Sequence, residues 1–183
     1  MNAQSRALLS FVLIQLMIIV PCFAFSVRYR SANANDVLVA RKILFQEAMN
    51  PLSVTQNHLV VAFDQDRDGE DTLLGFGQIR PVDERFAELA SLFVHPDWRG
   101  QGIGTALVFE LLQRHDQCSN PDTDVCLLTL RSTSQFYKLH GFMTIEESEV
   151  KINLPPALRF EFAAGSLLST FLGNELVCMI RQR

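Results

Sequence analysis

Between His95 and Gly104 the chain reads HPDWRGQGIG, with glycines at 100, 102 and 104 directly after Arg99. Glycine reaches positive φ without steric cost and lets a ligand touch the backbone. Successive N–H groups in such a turn converge on one concavity that suits an anion. Downstream, Ile103, Leu107 and Leu111 recur every four residues with Val108 and Leu112 beside them, which predicts an amphipathic helix from 103 to about 114. The first N–H groups of that helix and the positive end of its dipole face the same turn. Arg99 adds a full charge. The stretch therefore reads as a phosphate cradle.

Spacing decides which kind. A Walker A loop needs Gly-Lys-Ser/Thr, and no lysine lies between Arg99 and Arg114. A dinucleotide fingerprint needs G-x-G-x-x-G. Counting from Gly100 puts Thr105 at the third glycine, and counting from Gly102 puts Leu107 there. What stands in the chain is R-x-x-G-x-G, formed by Arg99, Gly102 and Gly104. LFVHP precedes it, and FYKLHGF (Phe136 to Phe142) follows it.

These three motifs, in this order and at domain-scale spacing, resemble the GNAT family of N-acetyltransferases, which use acetyl-coenzyme A. The resemblance covers the chain from residue 25 to 183. It implies that backbone groups of Leu92, Phe93 and Val94 bind the pantetheine arm as an added strand would. It implies that the amides of Arg99, Gly100, Gln101, Gly102, Ile103, Gly104 and Thr105 hold the pyrophosphate. Tyr137 lies where the family often keeps a tyrosine near the coenzyme sulfur, where a phenol can protonate the leaving thiolate. Its bland alternative is an aromatic packed beside Phe136.

An ammonium has no lone pair, so the acceptor must also lose a proton. Glu88 is the candidate base. It stands in an otherwise uncharged strand, FAELASLFV, and a partly buried carboxylate there has a raised pKa that suits proton acceptance near neutrality. It lies eleven residues before Arg99, the spacing that the resemblance assigns to the general-base glutamate of the histone-acetylating branch. The other readings of Glu88 are an exposed strand glutamate, or one paired with Arg28 or Arg30. The implied activity is acetyl transfer from acetyl-CoA to a primary amine by direct attack in a ternary complex. The alternative is a non-catalytic acyl-CoA-binding or sensor domain tethered to a membrane, which needs the cradle but neither Tyr137 nor Glu88.

The elements that must position these residues follow from patterning. SVRYR (26–30) alternates like a half-buried strand. Asn35 or Asp36 can cap a helix whose face carries Val37, Ala40, Leu44 and Ala48, and NPLS (50–53) breaks it. Strands are expected over 58–63 and 72–79, joined as a hairpin by the polar DQDRDGED. That tip lacks the twelfth-position glutamate of a calcium loop, with Gly75 in its place. Further strands are expected over 86–94, 125–130, 142–152 and 175–182. A short helix capped by Ser132 or Ser134 ends at Gly141, and another begins at the prolines 155 and 156. Three strands in series need antiparallel hairpins, whereas the strand–helix–strand from 86 to 130 needs a parallel crossover. The fold class is α+β: a mixed sheet with helices on its faces, in the order β-α-β-β-β-α-β-α-β-(α)-β, which is also the order the resemblance implies. The segment LPPALRFEFAAGSLLSTFLGN is longer than a hairpin needs. In the family such a region commonly lines the acceptor site, although its apolar stripe equally suits packing on the sheet.

At 183 residues, 48% hydrophobic and 20% charged, the chain suits one domain. Its net charge is −4 and it has no basic run of the kind that binds nucleic acid. An acidic protein mildly favours cationic acceptors such as amines. From Ala7 to Phe25 the chain reads ALLSFVLIQLMIIVPCFAF after Arg6. A basic start, an apolar run and a small-x-small ending predict a secretory signal peptide, residues 1–24, cleaved after Ala24. The alternative is a membrane anchor with contact through residues 7–25. Cleavage leads to secretion or a complex plastid, since an aromatic after the cut resembles plastid presequences of algae. Cys118, Cys126 and Cys178 lack C-x-x-C spacing, so no zinc site is expected. Three free thiols are preferred to a Cys118–Cys126 bridge. His95, His115 and His140, read as a turn residue, a helix end and a surface residue, have no metal spacing.

Overall fold

The computed structural model of the chain describes residues 27–65, 71–118, 123–171 and 173–182. The expected leader or anchor, residues 1–24, lies outside the described residues, as does most of the hairpin tip. Among the described residues, no helix is long and apolar enough to cross a membrane.

Twelve elements alternate along the chain: β1 (Val27–Ser31), α1 (Ala34–Gln46), β2 (Leu59–Gln65), β3 (Asp71–Pro81), β4 (Phe86–Val94), α2 (Ile103–Cys118), β5 (Asp124–Leu130), α3 (Ser134–Lys138), β6 (Met143–Ile145), α4 (Glu147–Asn153), α5 (Pro156–Phe171) and β7 (Leu176–Arg181). The strands form one mixed sheet in the order β1-β2-β3-β4-β5-β7-β6. β1 to β4 run as antiparallel neighbours, because their connections are turns or the short α1 return. β4 and β5 are parallel, as α2 between them requires. β5 is interior, flanked by β4 and β7, which accounts for its continuously apolar sequence.

Both faces of the sheet are covered. On one, Ile103, Leu107, Val108, Leu111 and Leu112 of α2 bury against Ala87, Leu89, Val125 and Leu127. On the other, α1 packs Val37, Ala40 and Leu44 against Val61, Phe63, Phe76 and Phe93. Val150 of α4, Leu154 just after it and Leu158 of α5 cover Phe86, Cys126 and Cys178 on that same second face. Alternation along β4 places Glu88 with Phe86, on the face shared by α1 and α5, away from Ala87 and Leu89.

Several expectations need correction. Residues 142–152 are not one strand: pairing with β7 ends at Ile145, and α4 follows. The physical reason is a capping box in which Glu146 and Glu149 exchange side-chain and backbone bonds, with Glu147 and Glu149 acidic in the first turn. The cap of α1 is Asn33, not Asn35 or Asp36. The Asn33 side chain accepts from the Asp36 N–H, and Asp36 returns the bond as the third residue of the box. Ser132 and Ser134 do not cap α3; Thr133 holds that position without a side-chain cap, and the Ser134 hydroxyl donates to the Arg131 carbonyl. Cys118, Cys126 and Cys178 are free, Cys118 exposed and the other two buried. His140 is half-buried rather than a surface residue, and burial lowers its pKa.

Candidate active site

The sheet splits where the chemistry is expected. The ladder between β4 and β5 contains only Phe86↔Asp124, Ala87↔Val125 and Glu88↔Cys126. Both strands continue beyond it, β4 to Val94 and β5 to Leu130. The backbone of Leu89–Val94 therefore faces an opening on the β5 side, with Glu88 at its apex. Leu92, Phe93 and Val94 lie on this free stretch, as the pantetheine-binding expectation requires.

A bulge helps to turn β4 away. The β3 register steps from Phe76↔Phe93 to Gln78↔Ala90, which leaves one extra residue on β4, and Ser91 there has φ +57°. A non-glycine residue in that region is a strained position that its surroundings must hold. Gln78, fully buried, does so: its amide donates to the Ser91 hydroxyl at 3.3 Å and to the Ser53 carbonyl at 3.1 Å. The loop after α1 and the bulge in β4 are thus tied through one side chain. Nothing in the sequence pattern singled out Gln78 or Ser91.

The cradle starts where β4 ends. A short 3₁₀ turn, Pro96–Trp98, is capped by His95, and Arg99 folds back so that its Nε donates to the Val94 carbonyl at 3.0 Å. Gly100 and Gly102 have φ +76° and +81°. At either position a Cβ would meet nothing within 4 Å, so the space beside this backbone is open to a ligand. The Ala106 N–H reaches the Gly102 carbonyl at 3.0 Å, which marks the start of the α2 ladder. The N–H groups of Ile103, Gly104 and Thr105 belong to the first turn, where no intrahelical partner exists. Gly104 is not a positive-φ position. A Cβ there would make ordinary van der Waals contact, 3.6 Å from Phe136 and 3.6 Å from Val94. Open concavity, helix N-terminus and strand opening suit a pyrophosphate with an extended arm, so the residues present fit coenzyme A.

Tyr137 sits on α3 on the α2 side of the sheet, packed against that core. Its ring meets Phe136 at 4.9 Å and Phe142 at 6.1 Å, both edge to face. Burial pushes its phenol up to about 12, while a hydrogen bond from Thr129 pulls the other way. Thr129 belongs to the part of β5 beyond the split, so the phenol stands at the β5 arm of the opening, and it holds its proton at neutral pH.

Glu88 is 4% exposed. Arg28 and Arg30, the partners weighed from sequence, are not its ion pair: Arg30 binds Asp36 and Asp71. The partner is Arg80, directly opposite on β3. Arg80 Nε donates to Glu88 Oε2 at 2.9 Å and Nη2 lies 2.6 Å from the same oxygen. Arg80 Nη2 also donates to Glu161 on α5, at 3.1 and 3.3 Å. Burial raises the pKa of Glu88, the Arg80 charge lowers it, and the Glu161 charge raises it, leaving it above the ordinary carboxylate value. A signal for Arg80 existed in the hairpin arithmetic, since a turn centred on 84 pairs 80 with 88. No such signal existed for Glu161, which reaches the site only through the packing of α5.

An open groove of about 470 Å³, lined by residues including Phe109, Asp116, Leu139 and Arg181, contains none of these groups. Among the described residues, no three His, Cys, Asp or Glu side chains are grouped to hold a metal.

Known structures share the fold. The chain is similar to Rv2747 from Mycobacterium tuberculosis, solved with CoA, at 21% identity over 85% of this chain and 99% of that one, with a TM-score of 0.63. It is similar to N-acetylglutamate synthase from Neisseria gonorrhoeae, solved with coenzyme A and N-acetyl-glutamate, at 18% identity, 85% of this chain, 35% of the synthase and a TM-score of 0.59. An acetyltransferase from Streptococcus agalactiae matches at 16% identity over 86% and 98%, with a TM-score of 0.57. No curated protein matches the chain by sequence. The family described as an acetyltransferase (GNAT) domain matches residues 55–144, which run from the loop before β2 through the cradle and α3 into β6. On that match and the shared fold, the chain belongs to the GNAT family of acetyltransferases.

Proposed function

We propose that the protein is an acetyl-CoA-dependent N-acetyltransferase that moves an acetyl group to a primary amine by direct attack in a ternary complex. The observation that carries this is the position of Glu88: a buried carboxylate at the apex of the β4–β5 opening, whose other end is the glycine cradle. A simple binder of acyl-CoA has no use for a carboxylate there.

Bound acetyl-CoA would supply the acetyl thioester. The amides of the first turn of α2, with Gly100 and Gly102, would orient its pyrophosphate, and the free edge of Leu92–Val94 would hold its arm. Glu88 takes the proton that the amine must lose, and its raised pKa brings it closer to the operating pH. Tyr137 holds a proton at its phenol oxygen for the departing thiolate. The reaction needs a neutral phenol and an ionised carboxylate together; burial keeps the phenol protonated, and the Arg80 cation favours the ionised form of Glu88. The amine acceptor binds from the side of α1 and α5, the face on which Glu88 lies.

The test is thiol release from acetyl-CoA against polyamines, peptide N-termini, lysine peptides and small amines. Release should require an amine, and initial-rate lines should intersect. Tight coenzyme binding without release for any amine class would overturn the transferase reading in favour of a binding domain. We also propose that residues 1–24 are removed on entry to the secretory pathway. Intact mass of the protein from its native cells tests this, and a mass that retains them would favour an anchor.

A further inference from the structure

We propose that Glu161 is a positioning residue for the transfer: it shares Arg80 with Glu88, and by holding part of that guanidinium it keeps Glu88 a stronger proton acceptor than an undivided ion pair would leave it. The inference rests on the reading of Glu88 as the base.

Three elements build the relay. Arg80 and Glu88 are directly opposed in the β3–β4 ladder, so their approach is fixed by backbone register. Glu161 comes from α5, one turn after Leu158, which is buried against the same face. Arg80 Nη2 is the shared atom, 2.6 Å from Glu88 Oε2 and 3.1 Å from Glu161 Oε1. The two carboxylates differ in environment: the Glu88 side chain is 6% exposed and that of Glu161 is 36% exposed. Glu161 is therefore the solvent-side, exchangeable ligand of the arginine, and Glu88 the enclosed one.

The charges set the consequence. A cation beside a carboxylate favours its ionised form and weakens it as a base, whereas a second anion does the reverse. Among the described residues, the titratable groups that bear on Glu88 are Arg80 on β3, Glu161 on α5, and the thiols Cys126 on β5 and Cys178 on β7. Burial raises the pKa of both thiols, that of Cys178 to about 12, so they stay neutral across the working range. Only Arg80 and Glu161 carry charge, and they act in opposite senses. An undivided Arg80–Glu88 pair would hold Glu88 ionised, with little affinity for the amine proton. The shared arrangement keeps the carboxylate paired, as burial demands, without neutralising its basicity.

The test is an NMR titration of the Glu88 carboxyl carbon, assigned by its loss in Glu88→Gln, in the full protein. In Glu161→Gln the midpoint should move to lower pH, and in Glu161→Asp it should return toward the wild-type value. In Arg80→Gln it should move to higher pH. Glu161 is exposed enough that its variants should fold, so Arg80→Gln is confirmatory and an unfolded Arg80 variant leaves the decision to position 161. An unchanged midpoint in Glu161→Gln would overturn the proposal. The two readings fail separately. If the midpoint moves as stated while Glu88→Gln keeps full turnover, Glu161 tunes Glu88 but Glu88 is not the base. If Glu88→Gln is impaired and the midpoint is fixed, the base stands and the relay falls.

Discussion

The two ends of the β4–β5 opening are built from different material. The proposed coenzyme end is made of backbone: two positive-φ glycines, the first turn of α2 and the free edge of β4. The proposed acceptor end is made of side chains from distant segments: Arg80 from β3, Glu88 from β4 and Glu161 from α5. A backbone site must be written locally, because only glycine accepts those dihedrals without strain. A side-chain site is written in register and helix packing, and its members lie as far apart as 80 and 161. Substitution should therefore separate the two ends cleanly, binding from one and proton chemistry from the other.

The largest effect belongs to the backbone end. Gly102→Asp puts a carboxylate into the open space and demands φ +81° of a residue with a Cβ. Calorimetry should show coenzyme binding abolished, and because that Cβ meets nothing within 4 Å the cost to the fold is the positive φ alone. Unchanged affinity would break the assignment of the cradle.

Next is Tyr137→Phe, which keeps the ring contacts with Phe136 and Phe142 and removes the proton. We expect kcat to fall ~10²-fold, the low end for one general acid, with coenzyme affinity nearly unchanged. Turnover within about twofold of wild type would reduce Tyr137 to packing.

Glu88→Gln should lose most activity at neutral pH and recover partly at high pH, where free amine is present without help. The sign follows from the ionised form being the active one. Since burial raises the pKa of Glu88, wild-type activity should fall, as pH is lowered, while still above the ordinary carboxylate range. That limb should vanish in Glu88→Gln. A variant equally impaired at every pH would point to positioning damage.

The smallest effect is expected away from both ends. Asn33→Ala removes the cap of α1 and should cost about 1 kcal/mol of stability, read by denaturant unfolding, without changing coenzyme affinity. A loss of turnover beyond the loss of folded protein would show that α1 shapes the acceptor end.

What was legible in the sequence follows the same division. The glycine turn before α2, the helix behind it and the parallel crossover could be read, because each depends on residue types a few positions apart. Glu88 could be singled out as a charge in an apolar strand, but its partner was sought at Arg28 or Arg30. β1 and β4 are separated by β2 and β3, so only the opposing position of the β3–β4 hairpin could supply it. The run FMTIEESEVKI alternates well enough to suggest a strand throughout. The capping box of Glu146 and Glu149 overrides that pattern after Ile145. Gln78 and Ser91 left no trace, since a buried glutamine and a bulge serine differ from neighbours only once the register is known.

The separability of the two ends is tested most directly by titrating coenzyme A into Glu88→Gln. The expected result is a dissociation constant close to that of wild type in a protein whose turnover at neutral pH has largely gone. A coenzyme affinity lost together with turnover would contradict it, and would place Glu88 within the coenzyme end rather than opposite it.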